Sequence, residues 1–122
     1  MALLLSSANW QTEMRSAAPN DFQVQVDGLG SFTFGRRTMR DEFAVAAEYS
    51  RLTEGIQTPT EMLHHYARAF GTIKVLQVAA PAGWDVETLD PQEDASYAQL
   101  LSVFDALRAQ EADFRCKPGA PG

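Results

Sequence analysis

Two histidines, one cysteine and a group of carboxylates are the side chains with which this chain could do chemistry. His64 and His65 stand side by side in "EMLHH". A zinc helix presents its two histidines one turn apart so that both imidazoles reach one ion. Neighbours on a helix instead point about 100° apart, so this pair reads as hydrogen-bonded or solvated side chains. Cys116 precedes "KPGAPG", with no histidine or helix N-terminus close in sequence to stabilise a thiolate. Asp41, Glu42, Glu48 and Glu54 could include a carboxylate pair for acid–base work, but Arg37, Arg40 and Arg51 are interleaved with them. Arg37 with Asp41, and Glu48 with Arg51, have the spacing of ordinary ion pairs on a helix surface. The residues point to no catalysis, no cofactor and no metal.

The stretch "DGLGSFTFGRRTMRDEF", residues 27–43, raises a further possibility, a glycine loop cradling phosphate beside three arginines. A dinucleotide fingerprint needs a third glycine and a helix that starts within the glycine run. Here a strand pattern follows, so the glycines mark a turn. Arg36, Arg37 and Arg40 are then the one basic cluster. Its plainest reading is a solvated helix start, and its functional reading is a docking point for an acidic partner segment.

These residues are set in a chain of 122 residues, 45% hydrophobic and 21% charged, the size of one domain. A net charge of −6, spread along the chain, opposes binding to nucleic acid, which takes an excess of Lys and Arg. A single cysteine suits a reducing compartment. No stretch approaches the roughly 20 apolar residues of a membrane span, and Leu3 to Leu5 is too short for the core of a signal peptide. The expectation is a soluble, intracellular protein that meets no membrane.

The elements follow from periodicity. Residues 1–20 show neither helix nor strand period and read as a flexible arm, and residues 116–122 as a flexible tail. Between them, 21–115 form one domain. "FQVQV" and "SFTF" alternate strictly, and a hairpin with the loop Asp27-Gly28-Leu29 pairs Phe22 with Phe34, Val24 with Phe32 and Val26 with Gly30. Only that register collects the apolar side chains on one face. A helix over 38–54 is capped by Thr38 with Asp41 following, and carries two apolar stripes. One is Met39, Phe43, Ala46, Ala47 and Ser50; the other is Val45, Tyr49 and Leu52. Two stripes predict cover from two directions.

A second helix is expected from Thr58 as cap, with Pro59 in the first turn and Glu61 completing a capping box. It runs to about Ala79, although "IKVLQV" is β-branched enough for a strand. Its outward face is Glu61, His65, Arg68 and Thr72. Trp84 in the following loop is expected against the core. A third helix opens at Asp90-Pro91, ends near Phe114 and lines one face with Tyr97, Leu100, Leu101, Phe104, Leu107 and Phe114. The fold class is α+β, an N-terminal β-hairpin followed by three α-helices, mainly helical.

"GSFTFGRRTMRDEFAVAAEYSRLTEG" and "LHHYARAFGTIKVLQVAAPAGWD" resemble small proteins encoded among the tail genes of long-tailed bacteriophages and prophages, the tail assembly chaperones. The shared pattern is a strand ending in Phe, then Arg-Arg, an Arg-Asp helix start, Tyr-x-Arg-Leu, and a later "AP-x-GWD". Here it is carried by Phe32, Phe34, Arg36, Arg37, Arg40, Asp41, Tyr49, Arg51, Leu52, Pro81, Gly83, Trp84 and Asp85, and the resemblance covers roughly residues 20–115. It implies a non-enzymatic helper in the host bacterial cytoplasm that coats the tape measure protein until tail-tube protein polymerises around it. Self-association is expected as well. Leu29, Phe34, Arg36, Arg37, Arg40 and Tyr49 are the residues expected to meet a partner. Two other roles fit the same features: a structural tail or head–tail accessory protein, and an anti-defence inhibitor.

Overall fold

In the computed structural model, which describes residues 15–115, the alternating segments pair in the register that the apolar face requires. Strands β1 (Phe22–Val26) and β2 (Gly30–Phe34) run antiparallel, with Phe22 opposite Phe34, Val24 opposite Phe32 and Val26 opposite Gly30. The Leu29 N–H donates to the Val26 carbonyl at 3.0 Å and closes the loop. Gly28 and Gly30 have φ of 83° and 127°, a region that side chains disfavour, which is why glycine stands at both. Phe32 and Phe34 are fully buried, while Gln23 and Gln25 on the other face are exposed. Residues 1–14 and 116–122, most of the expected arm and all of the expected tail with Cys116, lie outside the described residues.

Helix α1 (Met39–Leu52) starts as its spacing dictates. Asp41 N–H donates to Thr38 Oγ1 at 3.2 Å, and Thr38 N–H donates back to Asp41 Oδ2 at 2.9 Å. Helix α2 (Glu61–Leu76) departs from expectation at both ends. Its cap is Thr60, whose hydroxyl accepts the Leu63 N–H at 3.1 Å, and not Thr58. Thr58 and Thr60 are exposed and Pro59 is only part-buried, so starting the helix earlier would bury little apolar surface to hold it in place. At the other end the helix stops at Leu76 and Gln77–Ala79 forms strand β3, antiparallel to β2 in a sheet of order β1-β2-β3. The cause is non-local. β2 offers an unpaired edge where the helix ends, and Gly35 N–H donates to the Leu76 carbonyl at 2.9 Å to open the pairing.

The second half of α2 is enclosed. Thr72, expected on the outward face, is 1% exposed, and its Oγ1 has no hydrogen-bond partner among the described residues. Gly71 explains the crowding. A Cβ there would stand 3.2 Å from Glu48 Cβ and 3.6 Å from the Val45 carbonyl oxygen, so its absence lets α1 cross close to α2. Trp84 stands edge-on to Phe32 at 5.3 Å and donates from Nε1 to Gln77 Oε1 at 3.1 Å, tying the loop to the sheet. A single 3-10 turn (Val86–Thr88) follows and buries Val86.

Helix α3 (Asp94–Arg115) begins after the Asp90-Pro91 start expected for it. Asp90 accepts the Gln92 N–H on its side chain and the Glu93 N–H on its carbonyl, which spends it on a turn. Leu100, Val103, Phe104 and Leu107 then pack against α2 and β1, whereas Tyr97 is 45% exposed. The core lies between the sheet, α2 and α3, and α1 packs chiefly on α2. The fold is α+β, a hairpin followed by three helices. Among the described residues no helix is long and apolar enough to cross a membrane.

Candidate functional site

One of the two apolar stripes of α1 has no cover. Val45 is buried against the molecule, but Met39 and Phe43 are each 69% exposed, and Ala46, Ala47 and Ser50 continue the open stripe. The expected cover from two directions is thus corrected to one. Helix α3 packs on β1 and on α2, and α1 makes its main contact with α2 alone. Ile56 in the α1–α2 connection and Met62 in the first turn of α2 are also exposed, at 44% and 65%. Single exposed apolar residues are common, so the grouping of several on one helix face is the informative feature.

The arginines divide into separate roles. Arg37 lies flat against Glu111, with Nε to Oε2 at 3.0 Å and Nη2 to Oε1 at 2.9 Å, and its Nη1 is 3.6 Å from Glu42. The planar fork matches the carboxylate, so this pair fastens the strand-to-helix junction onto α3. The Arg37–Asp41 pair expected from spacing does not form. Asp41 instead receives Arg15 at 2.9 Å, and Arg15 N–H donates to the Gln77 carbonyl, so the domain takes in part of the expected arm. Burial alone would raise the Asp41 carboxyl; hydrogen bonds from the Thr38 backbone and side chain and from Arg15, with the Arg15 charge, hold it below its ordinary value. The Glu48–Arg51 pair forms as expected, and Glu48 also draws Lys74 of α2 to 3.5 Å.

Arg36 stacks on Phe114, its guanidinium carbon 3.9 Å from the ring centre. With Arg37, Glu42, Arg68, Arg108, Glu111 and Arg115 it lines a concavity of about 290 Å³. Arg40 is exposed on α1 and is not part of that lining.

The remaining residues expected to meet a partner are placed elsewhere. Phe34 is fully buried on the inner face of the central strand and cannot touch one, a correction that follows from the alternation of β2. Leu29 packs part-buried against the core. The Tyr49 hydroxyl is 2.7 Å from His64 Nδ1, and the two rings meet edge-on at 5.2 Å, which clamps α1 to α2. His65 turns to Phe104 at 5.8 Å, so the two histidines diverge. Among the described residues no three His, Cys, Asp or Glu side chains gather where they could hold a metal. A second concavity, about 270 Å³ and apolar, opens among Leu52, Leu63, Tyr66, Phe70, Leu89 and Tyr97.

No protein-family model, curated protein or solved structure matches the chain. The functional reading therefore rests on surface chemistry and on the motif resemblance. Sequence reasoning missed Glu111 and the arginines around it, although a signal was present. Glu111 falls four residues after Leu107 on the apolar stripe of α3, a position where a carboxylate needs a buried cation, and Arg108 and Arg115 flank it at i−3 and i+4.

Proposed function

We propose that the protein is a non-enzymatic tail assembly chaperone of a long-tailed bacteriophage or prophage, and that it binds the tape measure protein through the open stripe of α1. The observation that carries this reading is the exposure of Met39 and Phe43 at one turn's spacing on a helix that buries Val45 on its other face. Burying each of these side chains contributes about 1.5–3 kcal/mol. Two anchors of that size make a weak site, which suits a helix laid along a helix and a long client that repeats the site many times. A tape measure protein is such a client, and the motif resemblance around Arg36, Arg37, Tyr49 and Trp84 is what points to it. The same stripe could pair two copies of the chain, and a tail-tube subunit would arrive as the client is sheathed.

The test is co-expression followed by analysis of particles. The tape measure protein stays in the soluble fraction when this chain is present, and deleting the gene abolishes tails without removing a virion protein. Finding the chain in mature particles at fixed copy number makes it a structural component and ends the chaperone reading.

A further inference from the structure

We infer that the concavity between the strand-to-helix junction, α2 and α3 is a docking site for an acidic peptide segment of a partner protein, whose carboxylates are received by Arg36, Arg68, Arg108 and Arg115. The lining includes none of the exposed apolar residues of α1, and the assignment does not depend on what that stripe binds.

The charge of the lining sets the ligand's sign. Five guanidiniums face two carboxylates, so three positive charges stand in excess in a chain whose net charge is −6. Arg37 is committed to Glu111 and Glu42. Arg36, Arg68, Arg108 and Arg115 form no ion pair among the described residues, although each belongs to a chain with acids to spare. Arg36 is held by its face on Phe114, and Arg108 lies 5.6 Å from the centre of the Phe104 ring. Stacking of this kind fixes a guanidinium while leaving its N–H edge for a planar oxyanion. The pocket is thus partly organised before anything binds.

Its shape and rim favour peptide carboxylates over a phosphate polymer. A nucleic acid binds along an extended basic stripe and through bulk positive charge, whereas this is a bounded concavity of about 290 Å³ on an acidic protein. Glu42 at the pocket edge would oppose dense phosphate charge, but spaced carboxylates can each pass it and meet a separate guanidinium.

The test uses the full chain and a labelled oligoglutamate peptide, followed by fluorescence anisotropy, with oligoglutamine, tripolyphosphate and a single-stranded oligonucleotide as comparison ligands. Oligoglutamate is expected to bind, weakening as salt rises, and oligoglutamine not to bind. The exposed double substitution Arg108→Glu with Arg115→Glu should lower the affinity at least about tenfold, with the circular dichroism spectrum unchanged. Arg51→Glu, an exposed reversal on the last turn of α1 and outside the pocket, should leave the affinity as it is. Absence of oligoglutamate binding overturns the assignment. So does an unchanged affinity in the folded double variant, an equal loss with Arg51→Glu, or tighter binding of tripolyphosphate or the oligonucleotide.

Discussion

Asp41 accepts the Thr38 N–H at the start of α1, and the same carboxylate receives Arg15 from the segment before the hairpin. Its folded pKa lies below the ordinary value despite burial, because those hydrogen bonds and the Arg15 charge favour the ionised form. A carboxyl lowered on folding stabilises in full above its unfolded pKa, about 3.9, and ceases to do so as pH falls through the lower folded value. Asp41→Asn keeps an acceptor for Thr38 but loses the charge. It should cost about 1 kcal/mol at neutral pH and flatten the acid limb of the stability curve. Urea titrations at neutral and acidic pH measure both effects, and an acid limb identical to that of the unsubstituted protein contradicts the assignment. At this scale Phe43 is the opposite case, a large apolar side chain that the fold leaves open.

Between elements, Arg37 and Glu111 join the junction before α1 to the end of α3 across 74 residues of sequence. Their side chains are 17% and 10% exposed; removing Glu111 leaves Arg37 only its longer contact to Glu42, and removing Arg37 takes both short bonds from Glu111. Arg37→Met and Glu111→Leu should each destabilise by about 3 kcal/mol, and the double variant by much less than their sum. Additive losses in chemical denaturation would show that the pair is not coupled. This link also marks where sequence reasoning stops. The hairpin register was legible because period-two alternation and the Gly28–Gly30 turn agree, and the start of α1 was legible because Thr38 and Asp41 cap each other locally. Strand β3 was not, since Gln77–Ala79 becomes a strand through the free edge of β2. Thr72 was assigned outward because nothing local to α2 reveals that α1 crosses at Gly71. The arginine cluster was half legible: Arg36 and Arg37 are neighbours, whereas Arg68, Arg108 and Arg115 reach the same pocket only through the fold.

For the whole molecule, the two candidate surfaces meet near the start of α1. Glu42 lines the arginine pocket, and Met39 and Phe43, its neighbours on the first turns of the helix, begin the open stripe. A client helix laid along α1 could therefore place acidic residues in the pocket as its apolar face covers the stripe, which combines directional charge contacts with apolar burial. The stripe is the central claim because the core does not need it. Surface substitutions away from packed features change stability by about 0.5 kcal/mol or less. The most direct measurement is the affinity of purified Phe43→Asp for a soluble fragment of the tape measure protein by titration calorimetry, with thermal unfolding recorded on the same sample. The account predicts an unchanged unfolding midpoint and an affinity lower by at least about tenfold, the loss of one apolar anchor. A folded Phe43→Asp protein that binds the fragment as tightly as the unsubstituted chain would contradict it.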